Sequence, residues 1–217
     1  MYFKKGIEKF LKKNKQKKNL ILSGGNSIKK SYKLIEKAKI NWNNINIYLI
    51  DERDTKKINL RNIAFLKKIF KKKKIFSFDK KLTLKKNKKT LIDNLKYLYT
   101  LTIIGVGEDG HFASIFYNLK KFKSIIDSSK KPNFYLTEKI GKPFCKRYTM
   151  NLSMVLLSNY IIIVLKNKKR LKLFTNFIKN KKKKTPIYYL IKKAKKKIMI
   201  NYNKDLMSLN FFKKTYA

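Results

Sequence analysis

The run Tyr160-Ile-Ile-Ile-Val-Leu165 has no polar face. A strand wetted on one side alternates apolar and polar residues, whereas an unbroken apolar strand is covered on both sides, as in a parallel sheet between helices. Shorter apolar runs occur at residues 19–23, 45–50 and 101–104. Segments of helical spacing lie around them: Phe3, Ile7, Phe10 and Leu11; Tyr32, Leu34 and Ile35; Ile63, Leu66 and Phe70; Leu91, Leu95 and Leu98; and residues 171–178. Strands alternating with helices predict an α/β fold with a mainly parallel sheet. The whole chain, residues 1–217, is expected to form one domain.

Weaker signals fill in the rest. A short strand is expected at 75–78, another at 147–152, and a final edge strand at 198–200. Residues 187–190 read as a helical turn or strand, and 113–117 as the start of a helix or a turn. Asn26-Ser27 is placed to cap the helix that follows the first strand. Parallel α/β sheets bind ligands outside the carboxyl ends of their strands. The unusual residues sit there: Ser23-Gly-Gly, Asp51-Glu-Arg, and the stretch from Gly105 to His111 each follow an apolar run. Their convergence in one crevice is therefore predicted.

A formal charge of +45 invites a nucleic-acid reading. Only Arg53, Arg61, Arg147 and Arg170 among the 57 basic residues are arginines, however, and the lysines run from end to end rather than along one element. Nucleic-acid readers lean on arginine for bidentate contacts. The lysines are therefore read as a solvated coat, with Lys, Asn, Ile, Phe and Tyr enriched as in drift toward A/T-rich codons. No specific nucleic-acid partner is expected; a lysine-rich nucleic-acid binder on a relic fold remains the alternative from another class. One cysteine, Cys145, allows no internal disulfide and suits a reducing compartment. The residue 154–165 region is too short to span a bilayer and the amino terminus lacks a secretory apolar core, so a cytoplasmic protein is expected.

Ser23-Gly24-Gly25-Asn26-Ser27 joins a strand to a helix, where backbone N–H groups and the helix dipole favour an anion; an ordinary tight turn fits it equally. No Walker-type lysine follows. Gly105-Val-Gly107-Glu-Asp-Gly110 matches the dinucleotide pattern, but Glu108 and Asp109 would repel a pyrophosphate. His111 is the only histidine, two residues after Asp109. A carboxylate so placed can orient the ring as a base that takes a proton from water. One histidine and one cysteine offer no metal-ligand set. Where lysine is the default cation, retained arginines are either simply residual or point to sites that need a planar, always-charged fork, phosphate binding among them.

Leu22-Ser-Gly-Gly-Asn-Ser27, Asp51-Glu-Arg53, Asn59-Leu-Arg-Asn62, the segment from Gly105 to Phe116, Arg147-Tyr-Thr and Pro186-Ile-Tyr occur in the order found in the 6-phosphogluconolactonases, and the chain resembles that family. Those enzymes share a superfamily with the glucosamine-6-phosphate isomerases. The resemblance implies a Rossmann-like three-layer α/β/α fold. It also implies hydrolysis of 6-phospho-D-glucono-1,5-lactone to 6-phospho-D-gluconate in the oxidative pentose phosphate pathway, without metal or organic cofactor, by a monomer or homodimer. Carried over by residue, His111 activates water and Asp109 orients it. Ser23, Gly24, Gly25, Asn26, Ser27, Arg147 and Arg170 hold the phosphate; Asp51 and Arg53 line the sugar site, with Gly107 beside the substrate. The isomerase branch continues its histidine motif with Asn-Glu-Pro, whereas Ile115-Phe-Tyr-Asn118 stands here, which favours the lactonase. Two departures stand out: Asn26-Ser-Ile28 replaces a family Thr-Pro, and Asn167-Lys-Lys-Arg170 replaces Gly-x-x-Lys.

Overall fold

The apolar runs pair into one sheet because each has two faces to bury. The computed structural model describes residues 1–12, 16–77, 85–179, 185–194 and 197–216. Its strands are β1 (Lys18–Leu22), β2 (Ile45–Leu49), β3 (Asp51–Asp54), β4 (Ile75–Phe76) and β5 (Tyr99–Gly105). After them come β6 (Phe134–Leu136), β7 (Lys146–Met150), β8 (Tyr160–Leu165), β9 (Ile198–Tyr202) and β10 (Asp205–Ser208). The main sheet has the order β10-β9-β8-β5-β1-β2-β4. It is parallel except for the β9–β10 hairpin. β1 is buried along its whole length, and β8 over all but its first residue.

Helices α1 (Phe3–Lys12), α2 (Lys29–Glu36) and α3 (Asn62–Ile69) pack in sequence on one another. α4 (Lys85–Tyr97) packs on β5. α5 (Phe122–Ile126) and the single turn α6 (Leu152–Val155) contact each other. α7 (Lys168–Lys179) lies on β8 and touches α8 (Pro186–Lys193), while its Phe174 meets Phe212 of α9 (Leu209–Tyr216) edge to face at 5.5 Å. The result is the expected three-layer α/β architecture with a mostly parallel central sheet.

From β1 the chain runs to β2 and β4 on one side, then returns on the other side through β5. The reversal at β1 and β5 opens a crevice beyond their carboxyl ends. Tyr32 braces it from below: its hydroxyl donates to Ser23 O at 2.9 Å and lies 3.3 Å from Ile103 O, joining the two strand ends.

Several expectations change. Residues 198–200 belong to a strand between β8 and β10, so the edge is the antiparallel β10, whose partner in space is Tyr2 at the other end of the chain. Asn26-Ser27 does not cap α2: the N-cap is Ile28, without a side-chain hydrogen bond. A Cβ on Gly105 would lie 2.9 Å from Ser27 Oγ, so that hydroxyl faces β5 rather than the helix end. Of the two readings open for residues 113–117 the turn holds and the helix does not, with a bridge between Phe112 and Ile115 and a positive φ of 52° at Ala113. Asp51-Glu-Arg-Asp54 is more than a strand terminus; it is β3, the first strand of a separate antiparallel sheet of order β3-β7-β6. Phe78, part of an expected strand, lies outside the described residues.

Candidate active site

β5 ends at Gly105 and turns sharply. Gly107 N donates to His111 O at 2.8 Å and Gly110 N to Gly107 O at 3.2 Å. Gly110 adopts a φ of 79°, a left-handed conformation that only glycine takes without strain. The loop is pinned from outside by Ile187 N, which donates to Gly110 O at 3.0 Å at the start of α8. These bonds turn His111 back toward Asp109. Its Nδ1 lies 2.5 Å from Asp109 Oδ1, and its backbone N donates to the same oxygen at 3.2 Å. Burial pushes the Asp109 carboxyl up, but the hydrogen bond and proximity of the His111 ring outweigh it, and the group titrates below its ordinary value. An ionised Asp109 calls for the proton on Nδ1, leaving Nε2 with a free lone pair.

Phe116 backs the ring: the two aromatic planes stack with centroids 4.2 Å apart and 28° between them. The guanidinium of Arg147 also stands over the Phe116 ring, 5.8 Å from its centroid. Arg147 is 4% exposed, and two of its donors hold main chain, Nε to Ile140 O at 3.0 Å and Nη2 to Pro143 O at 2.9 Å. It thereby fixes the loop that carries Gly141 and Lys142. Burial lowers the Arg147 pKa and Arg53 lowers it further, while Asp51 acts in the opposite direction.

The antiparallel pairing of β3 with β7 sets Arg53 opposite Arg147 and Asp51 opposite Thr149. Asp51 is 4% exposed and accepts from Ser114 Oγ at 2.5 Å. Arg53 Nη1 donates to Leu60 O at 2.8 Å, leaving its buried Nε without a partner among the described residues. Arg170 enters from α7, with Asn167 Oδ1 accepting from its backbone N at 3.0 Å. One amino group, Nη2, sits 3.3 Å from Glu108 Oε1; the other, Nη1, is buried and has no partner among the described residues.

These side chains line a cavity of about 530 Å³. Ser23, Gly24, Gly25, Ser27, Asp51, Arg53, Gly107, Asp109, His111, Arg147 and Arg170 all face it, so three separated sequence segments and two later arginines do converge. Asn26 is the exception among the expected residues: it is exposed at the tip of its turn and does not line the cavity. Sequence reasoning did not single out Glu108, Phe116, Gly141 and Lys142 as site residues, nor Asn62, which lay in a motif without a role. Phe116 also lay inside the histidine motif, where an aromatic five residues after the base was the available signal. Among the described residues no group of three His, Cys, Asp or Glu gathers as a metal ion would need, and no helix is long and apolar enough to cross a membrane.

The contact between Gly107 and His111 is testable. A Cβ at Gly107 would lie 2.1 Å from His111 Nδ1 and 2.7 Å from Asp109 Oδ1, while the backbone there is not left-handed. Gly107→Ala is therefore expected to displace the ring and lower turnover by about a hundredfold, with a melting temperature close to wild type. Unchanged turnover would show that the ring's position is not set by this contact.

Comparison with known proteins agrees with this fold. A curated 6-phosphogluconolactonase from Thermotoga maritima is 28% identical over 186 residues, covering 80% of each chain. The crystal structure of a 6-phosphogluconolactonase from Shewanella baltica superposes with a TM-score of 0.73 at 17% identity, covering 91% of this chain and 89% of that one. The 6-phosphogluconolactonase from Plasmodium vivax gives a TM-score of 0.71 at 20% identity, covering 93% and 85%. At such identities the structures speak for the fold. The sequence pattern of the glucosamine-6-phosphate isomerases/6-phosphogluconolactonase family matches residues 2–200, nearly the whole chain, and by that match the chain belongs to this family.

Proposed function

We propose that this chain hydrolyses 6-phospho-D-glucono-1,5-lactone to 6-phospho-D-gluconate, with His111 as general base. The observation that carries the reading is the His111–Asp109 pair, 2.5 Å apart, in a cavity that also holds three arginines. Nε2 of His111 takes a proton from water as its oxygen attacks the lactone carbonyl carbon. Collapse of the tetrahedral intermediate breaks the bond from that carbon to the ring oxygen, which leaves with the proton from the imidazolium. The resulting carboxylic acid ionises and releases a proton to solvent. Asp109 holds the tautomer and stabilises the transient imidazolium.

The phosphate is held by Ser23, Gly24, Gly25 and Ser27 of the glycine turn with Arg147 and Arg170. Asn26 stands outside the cavity and does not touch the phosphate. Nη1 of Arg170, without a partner among the described residues, supports an anion site, because a buried donor left open favours a ligand that supplies an acceptor. Asp51, Arg53 and Gly107 line the sugar. The family's isomerase chemistry needs a further group to relay protons around an open-chain sugar. The cavity carboxylates Asp51, Glu108 and Asp109 are already engaged by Ser114, Arg170 and His111 respectively, which supports hydrolysis instead. Fresh lactone and wild-type protein, followed by proton release in weak buffer, test the reading. A rate well above spontaneous ring opening is expected; a rate equal to it would end the proposal.

A further inference from the structure

Asn62 is 1% exposed and lies in the cavity wall at the first residue of α3. Its backbone N donates to Glu52 Oε1 at 2.6 Å, and its side-chain Nδ2 donates to Asp51 O at 3.0 Å. The second bond fixes which way the amide faces, because a backbone carbonyl can only accept. Oδ1 therefore points toward Gly24, at the cavity's glycine turn. It is buried, and none of the described residues donates to it. A Cβ on Gly24 would lie 1.9 Å from this oxygen, so the absence of a side chain there is what leaves room for it.

A rigidly held, desolvated acceptor disfavours the empty cavity and favours a ligand that brings a donor. On the proposed lactonase reading, the substrate's phosphate oxygens and lactone carbonyl are acceptors and cannot fill this role. Its ring hydroxyls are donors and can. We infer that Asn62 determines specificity in this cavity: its Oδ1 accepts a hydrogen bond from one ring hydroxyl of the sugar lactone.

The test is a cycle between enzyme and substrate. Proton release is measured for the parent lactone and for phosphogluconolactones lacking one ring hydroxyl each, with wild type and with Asn62→Ala. One deoxy substrate is expected to lose about 10- to 100-fold in kcat/KM with wild type. The same comparison in Asn62→Ala is expected to give less than about threefold, because the acceptor is gone from both arms. Asn62→Asp, which keeps an acceptor at this point, is expected to retain discrimination. Should Asn62→Ala fail to fold, wild type alone decides: no deoxy substrate disfavoured beyond about threefold overturns the inference. Full discrimination surviving in a folded Asn62→Ala overturns it equally. The underlying reading fails separately, if wild type does not accelerate opening of the parent lactone.

Discussion

Replacing His111 with alanine is expected to lower kcat for lactone opening by roughly 10²- to 10⁴-fold, with KM nearly unchanged. On the proposed reading the size follows from the loss of the general base, and KM holds because the arginines and the glycine turn assigned to the anion are untouched. Asp109→Asn should lower kcat by about a hundredfold, since the amide can hold the ring but no longer balances the imidazolium. Wild-type turnover in His111→Ala would remove the residue from the mechanism. The pair also has a stability signature. Asp109 titrates below its ordinary value in the fold, so its pairing stabilises the protein above the unfolded carboxylate pKa of about 4 and this contribution is lost as pH falls through the folded value. The melting difference between wild type and His111→Ala should accordingly be largest near neutral pH and close in acid.

Glu52→Ala is expected to destabilise the protein by about 3 kcal/mol, a fall of roughly 6–12 °C in melting temperature for a chain of this size. Glu52 is wholly buried and its carboxylate accepts from Arg53 N at 2.7 Å, Asn62 N at 2.6 Å and Ile63 N at 2.9 Å. It caps α3 in place of a local side chain, and Arg61 Nε stands 3.7 Å away. Alanine leaves those N–H groups buried without acceptors and opens a void. Burial raises the Glu52 pKa despite the three donors and Arg61. The sign of that shift means its contribution is fully present below the unfolded pKa and declines as pH rises through the folded one. Glu52→Gln should lose less than alanine and lack that decline. Chemical denaturation across pH checks both statements; an unchanged midpoint in Glu52→Ala would show that α3 is capped by other means.

How far the sequence reveals the fold depends on where each element finds its partner. β1, β2, β5 and β8 are legible because a doubly buried strand carries its environment in its own composition. β3 is not: Asp-Glu-Arg-Asp has no apolar signal, and its pairing rests on β7, far along the chain. β10 is hidden for the same reason, since it is completed by β9 and by a bridge to Tyr2. In the site, the histidine motif is legible through the rarity of its residues in a lysine-rich chain. Asn62 carries no such contrast among many asparagines; its open oxygen exists only because Gly24 comes to lie beside it. Ser27 misleads in the opposite direction, a good capping residue whose hydroxyl faces a neighbouring strand.

β3 carries a further consequence. Asp51 and Arg53 face the cavity, whereas Glu52 between them turns away to hold the start of α3. Two adjacent acids thus serve opposite sides of one backbone, one directed at the cavity and one at the scaffold. A single-residue insertion or deletion just before Asp51 would turn Glu52 into the cavity, leaving the shorter Asp51 (insertion) or the cationic Arg53 (deletion) toward α3. Substitution can alter either task separately, but a change in length cannot. This short polar strand should therefore tolerate drift in chemistry at its exposed end far better than any drift in length.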